Sequence, residues 1–312
     1  MHDLNYLFYL LGHNSTFPAA LFTGLALVFA AFACDPVSIQ EDYREMIVVE
    51  SYLVAEQPLP TIRLSTTIPA EQEYNFQEAA IQNASVRVLL VNENSSEPDD
   101  EFHYRRLDSG IFICINRIHK VQPNRTYRLE VDVPDFPKIE AATVIPDTFH
   151  IREATSERLV YQSENQLEVT LSPNSNPGRQ NIYVFTTIAD ENEEENLTPF
   201  YRGLVENEER EINSLFKNSS NLINAENFNM NEDGSVTLQF PWLGVAFFGP
   251  NKIVANSVDP NVSDFQRSQN VQFSGSTLSP GEIPNAIYHI EGGIGVFGSV
   301  STDTLSVYIE RP

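Results

Sequence analysis

The spacing most suggestive of chemistry lies near the end of the sequence, where residues 293–298 read Gly-Ile-Gly-Val-Phe-Gly, a literal G-x-G-x-x-G. In dinucleotide-binding proteins this spacing joins a strand to a helix whose N-terminus faces the pyrophosphate. Here only fourteen residues, 299–312, follow, and they alternate as a strand does. We therefore predict a tight turn or bulge, no bound nucleotide or other cofactor, and four structural glycines: Gly292, Gly293, Gly295 and Gly298.

Other groupings of reactive side chains give weaker signals. The acidic run 190–195 has calcium-ligand residue types, but it lacks the spacing of an EF-hand loop and is predicted to be an exposed hairpin tip. The histidines show no metal-ligand spacing, and no G-x-S-x-G elbow is present, so neither a metal site nor a serine hydrolase is predicted. The many carboxylates leave open a glycoside hydrolase that uses an acidic pair, although no pair stands out.

Two further segments contain residue types that form functional sites in other proteins: a cysteine and a cluster of aromatic residues. Cys114 lies in the apolar run 110–115, which predicts a buried and inert thiol rather than a nucleophile. The stretch 240–250 contains the only tryptophan and two adjacent phenylalanines. We favour core packing for this stretch over an exposed aromatic binding patch.

The charge of the chain narrows the possible partners. The sequence has 43 acidic residues against 19 lysines and arginines, a formal net charge of −24. Nucleic acids are bound by neutralising phosphates with lysine and arginine, so a nucleic-acid partner is excluded. An anionic membrane surface would repel the chain for the same reason.

The N-terminal segment predicts export and lipid anchoring. Residues 18–33 are sixteen uncharged, mostly apolar residues, close to the apolar core of a signal peptide and short for a membrane span. They end in Ala31-Phe32-Ala33-Cys34, which resembles a bacterial lipobox. We predict a signal peptide over 1–33, lipidation of Cys34 and a polar tether over 34–45. The membrane is then a partner through the lipid alone. The alternatives are an uncleaved membrane anchor and a buried apolar segment with an incidental cysteine.

The rest of the chain predicts an all-β protein. Seven short alternating runs between residues 46 and 146 are separated by turn residues, which is typical of an immunoglobulin-like β-sandwich. Tyr127 follows Pro123-Asn124 at the start of one run, so we predict a structural tyrosine corner. Residues 147–312 predict a second β-rich domain with short helical insertions around 211–217 and 262–267.

The sequence resembles a Bacteroidota family of outer-membrane lipoproteins of unknown function, domain-of-unknown-function family 4249. The resemblance covers nearly all of the chain after Cys34 and is carried by five segments: Ile47–Glu50, Ala84–Val88, Ser109–Phe112, Pro123–Val131 and the Gly-Gly-x-Gly-x-Phe-Gly ending at 292–298. It implies a place in the outer membrane close to TonB-dependent transporters. It implies no catalytic residue.

These observations lead us to expect a lipid-anchored cell-envelope protein that is not an enzyme. Its expected role is a binding or scaffolding module accessory to an outer-membrane transporter, with the membrane face left open. A polysaccharide-active hydrolase with an acidic pair, and a surface adhesin, are the alternatives.

Overall fold

The computed structural model describes residues 43–154, 157–176, 178–274 and 286–312, of which 153–154 and 270–274 are described by backbone alone. The predicted lipidation site Cys34 and the signal peptide lie outside the described residues. Between residues 43 and 146 the structure has seven strands and one helical turn: β1 Ile47–Val54, β2 Ile62–Thr66, α1 Phe76–Ala79, β3 Ser85–Leu90, β4 Asp100–Asp108, β5 Ile111–Cys114, β6 Thr126–Asp132 and β7 Ile139–Val144.

The described part of the second half contains more elements, and their lengths range from two residues in β13 to 17 in β17. Its strands and helices are β8 Ile151–Ala154, β9 Arg158–Val160, β10 Leu167–Leu171, β11 Ile182–Ala189, α2 Pro199–Glu206, β12 Lys217–Ser219, β13 Ile223–Asn224, β14 Val236–Phe240, β15 Gly249–Val258, α3 Pro260–Ser274, β16 Ile290–Glu291 and β17 Ile294–Glu310. Short 3-10 turns lie at Glu194–Asn196, Ile212–Ser214, Ala225–Asn227 and Trp242–Gly244.

Alternation of apolar and polar residues explains why the strands form. In β1, Ile47, Val49 and Leu53 are buried, whereas Glu50 and Tyr52 on the opposite face are exposed. Successive side chains of a strand point to opposite faces, so one face of β1 closes the core and the other faces outward. This outward face of β1 forms part of the site described below.

The last strand, β17, joins the two halves of the chain. Its first part pairs with β1 in parallel, from Val48 opposite Ile294 to Val54 opposite Val300. Its second part pairs with β15 in antiparallel register as far as Ile309. The resulting mixed sheet has the order β12-β11-β15-β17-β1-β2-β5-β4-β3-β6-β7-β16, and a separate three-stranded sheet has the order β14-β10-β8.

The buried apolar residues form two large clusters and one small one. The first cluster draws on residues 47–145 together with Phe297, and the second on residues 149–309. The small cluster packs α2 against the segment that contains Phe247. The predicted fold class, all-β with an N-terminal immunoglobulin-like sandwich and a second β-rich part with short helices, is confirmed.

The glycine-rich segment 292–298 packs against the first core and not, as we expected, inside the second domain. We placed 292–298 inside the domain 147–312, but Phe297 packs in the first core, because β17 pairs with β1 along residues 294–300. Residues Glu45–Pro312 form one compact unit. The division into domains at residue 146 stays a prediction.

Three local predictions need correction. The helix expected over 211–217 is a single 3-10 turn followed by β12. The helix α2 was missed, although Pro199 at its first position is a residue typical of helix starts. The acidic run 190–195 is not a hairpin tip, since it leads from β11 towards α2.

Candidate functional site

The four glycines predicted to be structural each lie where another part of the chain comes close. Gly292 has a φ of +75° at the turn between β16 and β17, and a side chain there would overlap the carbonyl oxygen of Lys138. Gly295 has a φ of +110° inside β17, and a side chain would overlap the backbone of Val49. A Cβ at Gly293 would lie 2.9 Å from the carbonyl oxygen of Ile47.

Gly298 allows the helix α3 to lie directly on β17. A Cβ at this position would lie 2.5 Å from Cγ2 of Val262 in the first turn of α3. The turn is fixed by Asp259, which is almost fully buried and whose carboxylate accepts hydrogen bonds from the Val262 backbone N–H at 2.9 Å and the Thr143 hydroxyl at 2.5 Å. Burial raises the pKa of Asp259, while these hydrogen bonds oppose the rise. The helix therefore has a fixed position over the sheet.

A groove of about 640 Å³ runs between α3 and the outward face of the sheet. We call it the Tyr52 groove. Its floor is formed by β1, β2 and β17, and its wall by α3 and the residues that precede β16. The side chains that define it are Val48, Glu50, Tyr52, Arg63, Phe265, Gln269, Tyr288, Ile294 and Val296. The glycine-rich segment thus contributes directly to the floor.

An ion pair lies on the floor of the groove. Arg63 Nη1 is 2.7 Å from Glu50 Oε2, and both side chains are half-exposed. The guanidinium carbon of Arg63 also lies 4.3 Å from the ring centroid of Phe76, a cation–π contact that fixes the side chain. Burial raises the pKa of Tyr52, and the neighbouring Glu50 carboxylate raises it further, so the hydroxyl stays protonated at neutral pH.

Two exposed tyrosine rings line the same groove as this ion pair. Tyr52 on the floor is 44% exposed and Tyr288 on the wall is 37% exposed. The ring of Tyr288 lies 6.1 Å from that of Phe265, which supports it from α3. Among the residues that the structure describes, the hydroxyls of Tyr52 and Tyr288 and the amide of Gln269 have no hydrogen-bond partner.

The other residues singled out from the sequence lie away from the groove. The Tyr127 hydroxyl accepts a hydrogen bond from the backbone N–H of Gln122 at 3.0 Å, the contact expected of a tyrosine corner. His119 Nε2 lies 2.9 Å from the same oxygen. Cys114 is buried, its thiol donates to the carbonyl oxygen of Asn116 at 3.1 Å, and burial raises the thiol pKa, which disfavours the reactive thiolate.

The aromatic stretch 240–250 is mainly core, as we favoured. Phe240, Phe247 and Phe248 are buried, and Trp242 packs edge-on against Tyr161 with ring centroids 5.3 Å apart. In the described part of the chain, no group of three or more His, Cys, Asp or Glu side chains is placed so that it could hold a metal ion.

The residues of the groove were not predicted from the sequence. The pairing of β1 with β2 brings Glu50 and Arg63 together, whereas Phe265 reaches the groove because α3 lies on β17, and Tyr288 is supported by Phe265. The one available signal was the polar interruption at Glu50 in an otherwise apolar strand, which marks an outward-facing position.

Comparison with known proteins gives a family match and only weak structural likenesses. A model of the family described as "Domain of unknown function (DUF4249)" matches residues 35–306. No curated protein matches the chain. No helix among the described residues is long and apolar enough to cross a membrane.

Three solved structures illustrate the weak likenesses. Alpha-2-macroglobulin of E. coli in its native conformation is 5% identical, with a TM-score of 0.23 over 70% of this chain and 13% of its own length. The first two immunoglobulin domains of DIP-gamma are 9% identical, with a TM-score of 0.20 over 86% of this chain and 98% of theirs. Murine CEACAM1b is 11% identical, with a TM-score of 0.18 over 86% of this chain and all of its own.

Proposed function

We propose that this chain, which belongs to the DUF4249 family of unknown function, is a lipid-anchored binding module of the cell envelope. In this proposal Cys34 carries the lipid, the Tyr52 groove binds a ligand without converting it, and the protein is accessory to an outer-membrane TonB-dependent transporter. The anchor and the transporter rest on the lipobox-like sequence and on the family resemblance.

The observation that supports a binding role is the composition of the Tyr52 groove. Its volume of about 640 Å³ is in the range of small-molecule sites, roughly 300–1,000 Å³. Such sites combine apolar and aromatic walls with a few placed polar groups. Tyr52, Tyr288 and Phe265 supply the aromatic surface, while Glu50 and Arg63 supply the polar groups.

The alternative of a glycoside hydrolase requires two carboxyl groups about 5–9 Å apart that face the same bond. Among the residues that line the groove, Glu50 is the one carboxylate, and it is held by Arg63. The groove therefore favours binding over hydrolysis as the function of this site.

Chemical cross-linking in native membranes tests the proposed association with an outer-membrane transporter. The full-length protein with a C-terminal tag is cross-linked, captured, and its partners are identified by mass spectrometry, with the Cys34→Ala variant at equal abundance as the matched control. We expect a TonB-dependent transporter with the wild type and its loss with the variant. Recovery of no transporter, or of equal amounts with both proteins, would contradict the proposed lipid-dependent association.

A further inference from the structure

We propose that the ligand of the Tyr52 groove is a neutral saccharide. This inference rests on the proposed binding function and specifies the chemical class of the ligand. Four properties of the groove carry it: the balance of charge on its floor, the pairing of its strands, the place of its ion pair, and the presence of exposed aromatic and polar side chains.

The charge balance disfavours an anionic ligand. Arg63 is the one cationic side chain among those lining the groove, and its guanidinium is already paired with Glu50 at 2.7 Å. A phosphate or carboxylate would have to displace Glu50 and leave that carboxylate without its partner. The formal charge of −24 on the chain adds a general repulsion. A neutral ligand leaves the pair intact.

The strand pairing disfavours an extended peptide. Peptides that bind to sheets usually add a strand at a free edge, where backbone groups are unpaired. β1 pairs with β17 along residues 48–54 and with β2 along residues 47–50, so the part of the floor around Glu50 is the interior of a sheet. There both neighbouring strands already pair with β1, and a ligand over the ion pair meets side chains.

The position of the ion pair disfavours an acyl chain. Covering Glu50 and Arg63 with hydrocarbon would remove both charges from water without giving them new hydrogen bonds, which costs free energy. A ligand with hydroxyl groups can instead donate to the Glu50 carboxylate and accept from the Arg63 guanidinium. Planar carboxylate and guanidinium groups offer several such contacts at once.

The aromatic residues complete the match to a sugar ring. A pyranose has apolar C–H faces and a rim of hydroxyls, and the C–H faces pack against the electron-rich face of an aromatic ring. Tyr52 and Tyr288 offer exposed rings on the floor and the wall of the groove that contains the ion pair. The Gln269 amide and the two tyrosine hydroxyls, which lack partners among the described residues, are further groups for the hydroxyl rim.

Glycan binding by the purified mature protein tests this inference. An array of neutral hexose and pentose oligosaccharides, together with sulfated and uronate-containing ones, identifies the preferred class, and calorimetry gives the affinity of the best glycan. We expect neutral glycans to bind, and Tyr52→Ala and Tyr288→Ala each to weaken binding about tenfold or more, as the loss of a ring contact implies.

The matched control is Tyr308→Ala. Tyr308 is also a half-exposed tyrosine of a strand, but it lies at the far end of β17 against Arg158 and outside the groove. This variant should bind like the wild type, and circular dichroism should show that all three variants are folded. Binding of anionic glycans only, no glycan binding, or equal losses in all three variants would overturn the inference.

The outcomes also separate this inference from the proposed function. Glycan binding uses purified protein and does not depend on the anchor or on a transporter. If a transporter is captured in membranes but no neutral glycan binds, the saccharide assignment is wrong and the transporter association stands. If neutral glycans bind through Tyr52 but no transporter is captured, the transporter association is wrong and the saccharide assignment stands.

Discussion

Replacing Gly295 with alanine tests whether the glycine-rich segment is a structural requirement of the sheet. Gly295 has a φ of +110°, and its Cβ would overlap the Val49 carbonyl oxygen and lie 2.9 Å from the Val49 nitrogen. Val49 is fully buried and pairs with Leu64 of β2 as well as with Gly295. β1 therefore cannot move away from β17 without disturbing a second strand pair.

Two costs add at this position. An L-residue held in this backbone region is strained by about 1–3 kcal/mol. Moving β1 away from β17 weakens ladder hydrogen bonds and the packing of the first core, so we expect a total loss of about 3 kcal/mol or more. For a domain of this size that loss lowers the thermal midpoint by roughly 6 °C or more. The sequence alone predicted about 1–3 kcal/mol for Gly295→Val, from backbone strain without the overlap.

Gly234→Ala is the matched control, because it isolates the backbone cost. Gly234 has a φ of +80°, but its Cβ would meet only Pro173 at 3.5 Å, an ordinary contact. Urea unfolding followed by far-UV circular dichroism and by the fluorescence of Trp242 gives both free energies. Equal losses in Gly234→Ala and Gly295→Ala would show that the approach of Val49 is unimportant and would refute this reasoning.

Three further predictions concern the anchor, a histidine and the net charge. Cys34→Ala should abolish labelling by a palmitate analogue and release the protein from the membrane fraction; unchanged labelling would rule out the lipid. Burial lowers the pKa of His119, so the neutral form is favoured in the folded protein. Its contribution to stability is present above the ordinary pKa of about 6.5 and is lost as pH falls below it, so urea midpoints should decrease more in the wild type than in His119→Gln between about pH 7.5 and 5.5. Removal of residues 1–33, which contain one acidic residue, Asp3, leaves a charge of −23. Because salt screens the repulsion between these charges, the thermal midpoint of the mature protein should rise with NaCl at low ionic strength. A midpoint that does not change with NaCl would show that the charges are balanced locally.

Local patterns predicted the first half of the fold better than the second. The hairpin of β4 and β5 follows from alternation around an Asp-Ser-Gly turn, in which Gly110 has a φ of +64°. The length of β17 did not follow, because the glycines at 295 and 298 interrupt its pattern and only the neighbours Val49 and Val262 explain them. The groove depends on the pairing of β1 with β17, whose partners, such as Val48 and Ile294, are 294 − 48 = 246 positions apart, and no local signal encodes it.

The glycine-rich ending shows how one segment serves both the fold and the groove. Its glycines lie where three other segments come close, so their spacing reflects the neighbours of β17 rather than a phosphate. The residues between them alternate in direction: Ile294 and Val296 line the groove, whereas Phe297 enters the first core. A substitution at Gly295 therefore changes stability and ligand binding together. Ile294 lines the groove and is only partly buried, so Ile294→Ala should weaken ligand binding and lower the free energy of unfolding less than Gly295→Ala does, as calorimetry and urea unfolding would show.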